Sequence, residues 1–402
     1  MTAAIGLRTL IQTAVFLIVA RVLSVADYGA YSAVLALAGA LSSFTGFGTH
    51  TLLVRDIARN PDAFASAWGR TLAAISLSAP VLFLGYLALA WVALPPSIPF
   101  SATVLIGISE IIFAPMTLAA VNAYQGHERI GHAARMIIIP VLPRLVGALA
   151  LAPLTHDLPA DVRLPTWAAL YAVATLAAAV FSRLLVRRDL GLPDKSTWAA
   201  IRGGLCEGLP LAFGGAALKL YADIDKTMLA RLATLEVAGA YSASYRMVDI
   251  ATVPVFSLLI VATPRFFRSG EGSIREALRY AWRVIPIPLA YALFAGIALF
   301  VAADYLPFLL GESYSDAVSV LRWLAWLPVV SMPRLFLQTA LVGGDHQMQA
   351  VAILSFGAVL NIALNVLTIP LWGWRGAVAA TYAAEIVMAF AMLLVAWRRS
   401  NH

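Results

Sequence analysis

Residues 20–33 read A-R-V-L-S-V-A-D-Y-G-A-Y-S-A, and residues 230–243 read A-R-L-A-T-L-E-V-A-G-A-Y-S-A. Arg21 and Arg231, Gly29 and Gly239, and Tyr31 and Tyr241 coincide at one offset of about 210 residues, half of a 402-residue chain. A fainter echo pairs Gly126-His127 with Gly344-Asp345. Each copy sits at a joint between two long apolar runs. The repeat therefore predicts two halves of about six spanning helices each. Six helices per half give both halves the same topology, related by an axis along the membrane normal, with substrate held between them.

Composition agrees with that reading. Hydrophobic residues make up 61% of the chain and charged residues 12%, with a mean hydropathy of +0.85. Soluble domains carry about twice that charge, so a water-facing surface cannot be covered. A span takes about 20 apolar residues, and about twelve spans leave only short loops and no soluble domain. Apolar periodicity places the spans near 4–23, 30–53, 70–94, 102–125, 132–154 and 166–186. The second set falls near 205–232, 240–264, 280–302, 317–342, 347–369 and 375–397. The first segment has no small-residue cleavage site and reads as a retained helix. The expected fold is an all-α membrane protein with an N-terminal lobe at 1–187, a polar linker at 188–203 and a C-terminal lobe at 204–402.

The net charge of +7 is spread over alternate helix ends. Arg55, Arg59 and Arg70, then Arg129 and Arg135, then Arg187, Arg188, Lys195 and Arg202 fall on one side, as do Arg265, Arg268, Arg275, Arg279, Arg283, Arg398 and Arg399. The other side has little beyond Arg163 and Arg375. This asymmetry follows the positive-inside rule and predicts cytoplasmic termini. It also argues against nucleic acid as a partner, which would need one basic patch. Trp91, Trp167, Trp372, Trp374 and Trp397 fall at expected interfaces. The single cysteine, Cys206, excludes a disulfide framework and a thiolate metal site.

Three stretches, A-R-V-L-S-V-A-D-Y-G-A-Y at 20–31 with G-F-G-T-H-T-L-L-V-R-D-I-A at 46–58, Y-A-D-I-D-K-T-M-L-A-R-L at 221–232 with V-A-G-A-Y-S-A-S-Y-R at 237–246, and I-P-L-W-G-W-R-G-A-V-A-A-T at 369–381, carry a resemblance. In order and spacing they resemble the Wzx-type polysaccharide flippases of the MATE-like (multidrug/oligosaccharidyl-lipid/polysaccharide) exporter superfamily. The family normally has several residues ahead of the first span, whereas this chain starts almost inside it. The resemblance implies two six-helix lobes opening alternately to either side of a prokaryotic inner membrane. It implies transfer of a polyprenyl-diphosphate-linked oligosaccharide from the cytoplasmic to the outer leaflet for cell-surface polysaccharide assembly. The partners it implies are that lipid-linked substrate and membrane lipids, with a polysaccharide polymerase and glycosyltransferases as further candidates. No cofactor is expected; coupling to H⁺ or Na⁺ stays open.

Charges at membrane depth are costly and mark pathways. Arg8 lies 13 residues below Arg21, about 20 Å deeper. Lys219 lies 12 residues below Arg231, so each half has a cation at similar depth. Arg8, Lys219 and Lys226 are candidate cavity cations for the diphosphate. Two alternatives stand beside this: Arg8 snorkelling to the inner surface, and Lys219 pairing with Asp223. Lys219, Asp223 and Lys226 are spaced i, i+4, i+7 and share one stripe, with Asp225 about 120° away, towards a neighbouring helix such as that of Arg246. Asp223, Asp225 and Glu110 are candidate coupling or structural carboxylates. Arg144, Asp249, Arg322, Arg334 and Glu385 complete the charges in or near spans. Prolines recur inside spans, where they bend helices.

Enzymatic readings are weaker. His127-Glu128-Arg129-Ile130-Gly131-His132 resembles a zinc-protease helix, but an i, i+5 pair stands about 140° apart rather than on one face. The chain has no Walker loop. A membrane-embedded glycan polymerase or transferase would need a long polar outer loop. A drug/cation antiporter of the same superfamily is the principal alternative, and deep cations argue against its cationic substrate.

Overall fold

The computed structural model describes residues 2–270 and 274–400, and all their regular structure is helical. The helices are α1 (Thr2–Val22), α2 (Val25–Ser42), α3 (Thr49–Arg59), α4 (Phe64–Ala93), α5 (Phe100–Ile108), α6 (Ala114–Gly126), α7 (Ile130–Ile138), α8 (Val141–Thr155) and α9 (Arg163–Asp189). They continue as α10 (Trp198–Leu232), α11 (Leu235–Gly270), α12 (Ile274–Val284), α13 (Pro286–Ala302), α14 (Leu306–Leu310), α15 (Ala317–Leu324), α16 (Leu327–Gly343), α17 (Gln347–Trp372) and α18 (Trp374–Ser400). The chain divides into two compact units, Met1–Arg231 and Leu232–His402. Nearly all of α10, which the repeat places first in the second half, therefore packs with the first unit.

Among the described residues ten helical stretches are long and apolar enough to cross a membrane, or eleven if the bent α11 counts as one. The expected number was about twelve. The remaining expected span is α10, whose 35 residues are ample in length. Lys219, Asp223, Asp225 and Lys226 lower its apolar character. The bend in α11 is 44° between Leu259 and Val261. Pro264 accounts for it, since its ring clashes with the carbonyl four residues back and removes that hydrogen bond.

The span expected at 30–53 is broken. Thr45-Gly46-Phe47-Gly48 separates α2 from α3, with φ of 72°, 47° and 76° at Gly46, Phe47 and Gly48. Positive φ costs a bulky residue energy, and the two glycines make the turn affordable around Phe47. The freed backbone is satisfied from other helices: the Ser78 hydroxyl accepts from the Gly46 N–H at 2.8 Å, and the Thr45 hydroxyl donates to the Ile111 carbonyl at 3.1 Å. Ile111 lies in a π-turn, Ser109–Phe113, between α5 and α6. A π-turn displaces carbonyls from their usual partners, and Thr45 takes one of them.

The first unit's core joins Leu53 and Ile57 of α3 to Phe64, Trp68 and Ile75 of α4, and to Ala120, Ala123 and Tyr124 of α6. The second unit's joins Phe266 of α11, Ala277 and Ala281 of α12, and Met332, Phe336 and Ala340 of α16. The weak echo at Gly126 and Gly344 proves geometric, shifted by one residue. Glu128 and Asp345 both adopt positive φ, 55° and 62°. The N–H that follows each one reaches back five residues, Arg129 to Tyr124 at 3.0 Å and His346 to Leu341 at 2.8 Å. That pairing closes a helix end with a left-handed residue.

Candidate functional site

Polar chemistry at membrane depth gathers in three places. In the first unit, the π-turn between α5 and α6 carries Glu110, which faces α8 and α9. The Tyr171 hydroxyl of α9 donates to Glu110 Oε1 at 2.5 Å. Arg144 Nη2 of α8 stands 3.7 Å from the same oxygen, and the Arg144 guanidinium carbon lies 4.5 Å from the Tyr171 ring centre. Tyr31 of α2 completes an aromatic wall, its ring 5.9 Å from Trp167 and 6.0 Å from Tyr171. Glu110 and Arg144 keep 17% and 21% of their side-chain surface. Their separation exceeds hydrogen-bonding distance, so this is an open ion pair.

On α10, Asp223 is bracketed on its own helix. Lys219 Nζ lies 3.1 Å from Asp223 Oδ2, and Lys226 Nζ bonds Asp223 Oδ1. Lys226 also reaches the Ala222 carbonyl at 3.4 Å and is largely buried. Lys219 remains half-exposed. An ammonium has three donors, so Lys219 retains capacity for a further anion. Asp225 is buried and accepts the Lys226 backbone N–H at 2.8 Å. Nearby, the Thr227 hydroxyl donates to the Ala33 carbonyl of α2 at 2.9 Å, tying α10 to the first unit. Arg8 is an exposed residue of α1. The structure thus places Lys219, Asp223 and Lys226 together, as their spacing predicts, and shows the Lys219–Asp223 pairing named as an alternative.

In the second unit, Arg334 of α16 and Glu385 of α18 form a closed, two-pronged pair: Nε to Oε2 at 2.5 Å and Nη2 to Oε1 at 3.1 Å. Arg334 Nη1 adds a bond to Gln338 at 3.1 Å. Their side chains are 10% and 4% exposed. Beside these helices, α17 carries the buried Asn361 and Asn365, with Asn365 Nδ2 donating to Asn361 Oδ1 at 2.9 Å. Arg322 pairs with Asp304 at 2.7 Å.

Sequence reading singled out Glu110, Arg144, Arg334 and Glu385 as charges near spans without pairing them. It passed over Tyr171, Asn361 and Asn365. Signals were available. Tyr171 stands one turn beyond Trp167, and aligning Arg187-Arg188 with Arg398-Arg399 brings Tyr171 onto Tyr382. The two asparagines are spaced i, i+4 in an otherwise apolar helix. The histidines of the protease-like stretch are held apart, His127 against Phe64 and His132 against Tyr124.

Residues 1–269 match the family model described as polysaccharide biosynthesis protein, and residues 210–367 match the MatE model. No curated protein matches the chain. Among solved structures, an inward-facing multidrug resistance MATE family transporter of the MOP superfamily is similar over 98% of this chain and 94% of its own, with a TM-score of 0.71 at 15% identity. An outward-facing conformation of such a transporter gives a TM-score of 0.67 at 15% identity, covering 100% and 94%. A MOP superfamily transporter from Pyrococcus furiosus gives 0.68 at 16%, again covering 100% and 94%. At these identities the structures establish the fold, and the family match over most of the chain establishes the kinship. The chain belongs to the polysaccharide biosynthesis protein family and has the fold of MATE family transporters, with ten helical stretches among the described residues long and apolar enough to cross a membrane.

Proposed function

We propose that this transporter turns a polyprenyl-diphosphate-linked oligosaccharide from the cytoplasmic to the outer leaflet of a prokaryotic inner membrane, by alternating access. The observation that carries the reading is the polysaccharide biosynthesis match over residues 1–269. That stretch includes α1 with Arg8 and α10 with Lys219. The diphosphate is the part of the substrate that stays the same when the sugar changes, so fixed cations suit it. Lys219, with donors to spare beyond Asp223, is its anchor on α10, and Arg8 can add a two-pronged contact.

The test is flipping of lipid-linked oligosaccharide in proteoliposomes. A charge-assisted hydrogen bond contributes about 1.5–3 kcal/mol, so Arg8→Ala or Lys219→Ala should weaken engagement by roughly 10- to 100-fold. Arg8→Lys should keep part of the activity. Normal flipping by the Arg8→Ala, Lys219→Ala double variant at wild-type abundance would overturn the assignment. Flipping measured with and without an H⁺ or Na⁺ gradient tests coupling, for which Glu110 is the candidate carboxylate in the first unit.

Orientation is tested in a Cys206→Ala background. Asp157 is almost fully exposed between α8 and α9, and Thr197 is exposed just ahead of α10. Asp157→Cys should label from outside and Thr197→Cys only after permeabilisation. The MatE match over residues 210–367 favours a second reading, a drug/cation antiporter. Extrusion of cationic dyes by proteoliposomes, with no flipping, would select it.

A further inference from the structure

Residues 265–284 join α11 to α13 and carry Arg265, Arg268, Arg275, Arg279 and Arg283 against Glu271 and Glu276. Within this stretch α12 is two-faced. Ile274, Ala277 and Ala281 are buried against the core of Phe266, Phe336 and Ala340. The other side presents Arg275, Arg279, Trp282 and Arg283, spaced i, i+4, i+7, i+8 and all exposed. Arg265, Phe267 and Arg268, at the end of α11, are exposed as well. Among the described residues Arg265, Arg268, Arg279 and Arg283 form no ion pair.

The matching connection of the first unit behaves differently. Arg55 bonds Asp56 and Glu207, and Arg70 bonds Asp56. Position adds a second argument. After Ile285, α12 leads straight into the apolar stretch Pro286–Leu310, long enough to cross a membrane. Arg283 is three residues from that stretch, about 4.5 Å along a helix.

We propose that the outer face of α12, with the adjoining end of α11, is a binding site for the headgroups of anionic phospholipids. Guanidinium groups match phosphate oxygens in geometry as well as charge. Exposed Trp282 and Phe267 among the arginines suit the headgroup layer, where aromatic rings concentrate in membrane proteins. The apolar face of α12 is occupied by protein, so the basic face is what the helix offers outward. This site is independent of what the transporter carries.

The experiment uses the full chain extracted from vesicles of phosphatidylcholine with a minor fraction of phosphatidylglycerol, and measures the two lipids retained. An arginine at the surface favours an anionic lipid by roughly fivefold. Wild type should therefore enrich phosphatidylglycerol by at least about tenfold, less so as salt rises. Replacing Arg268, Arg275, Arg279 and Arg283 together by Gln should bring enrichment within about twofold of none. The corresponding four-Lys variant should retain most of it, and it decides the matter with the salt titration if the Gln variant does not fold. Arg55→Gln, which removes an arginine already paired with Asp56 and Glu207 in the first unit's connection, should not lower the enrichment. Equal retention of both lipids by wild type, as expected if the face serves an acidic protein instead, would overturn the proposal. So would undiminished enrichment in the folded Gln variant, or loss of enrichment in the Lys variant.

Discussion

Among the described residues each unit holds an Arg–Glu pair at membrane depth, and the two are built differently. In the first unit, Glu110 and Arg144 stand 3.7 Å apart on α5–α6 and α8, with Tyr171 holding the carboxylate. In the second, Arg334 and Glu385 close two hydrogen bonds between α16 and α18. The helices differ as well as the distances: the acid lies on the fourth span of one unit and on the last span of the other. On the fifth span of the second repeat half, which begins with α10, the residue in register with Arg144 is Asn361, if Glu128 is matched to Asp345. The repeat has thus preserved a backbone framework while the polar groups were reassigned. A closed pair serves to lock two helices. An open one, with a hydroxyl on one side and a cation on the other, ties its helices less tightly.

The sharpest test of that contrast is Glu385→Ala. Removing one member of a buried pair leaves an uncompensated charge and costs about 3–5 kcal/mol. The expected outcome is a large drop in the melting temperature of the purified protein or failure to accumulate. Replacing Arg334 and Glu385 together by Leu should recover most of it. An equal loss from Glu110→Gln would erase the distinction between the pairs.

A second test concerns how α10 is held by the first unit. A Cβ at Gly208 would lie 2.0 Å from the Phe47 carbonyl oxygen, a backbone atom of the turn between α2 and α3. Overpacking of this kind costs about 1–3 kcal/mol, so Gly208→Ala should lower the melting temperature. Gly203→Ala, on the same helix with nothing within 4 Å, should leave it unchanged or slightly raised. Equal behaviour would mean that the contact is dispensable.

Glu110→Gln retains an acceptor for Tyr171 but removes the charge facing Arg144. With both groups partly exposed and the Tyr171 hydrogen bond retained in neutral form, the stability loss should be about 1 kcal/mol, below the range for losing a charged hydrogen bond outright. Transport should fall further than stability does. A variant that flips substrate normally at every imposed gradient would leave Glu110 a structural residue.

The smallest effect lies in the connection after α3. Burial pushes the Asp56 carboxyl up, and the hydrogen bonds and charges of Arg70 and Arg55 more than offset this, so it sits below the usual carboxylate range. A depressed folded-state pKa contributes stability that is present above the unfolded value and lost as pH falls through the folded one. The contribution should be constant above pH ~5 and fade below pH ~4, with a size of about 1 kcal/mol or less for a pair this close to solvent. Asp56→Asn should remove that acid limb from the melting profile. An unchanged limb would place it on another carboxylate.

The Arg–Asp–Glu network around Asp56 and the exposed arginines around α12 could both be seen in the sequence as positive loops. Only the tertiary structure shows that one is neutralised by Glu207, which is 152 residues from Arg55. The same limit explains what was legible elsewhere. Hydropathy, the Arg and Lys bias and the quoted motifs are properties of the chain itself, so an all-helical membrane fold and the family could be read from the sequence alone. The i, i+4, i+7 stripe of Lys219, Asp223 and Lys226 was equally local, since one helix fixes those angles. The break at Thr45-Gly46-Phe47-Gly48 lay inside an apolar run, and hydropathy does not register a change in φ. The π-turn that aims Glu110 at Tyr171, the bidentate Arg334–Glu385 pair and the packing of α10 onto α2 required knowing which helices are neighbours. Helical periodicity tells each side chain its direction around its own axis. What stands opposite depends on how the helices pack, and that is decided by the summed fit of small residues, broken turns and shared hydrogen bonds across the whole unit.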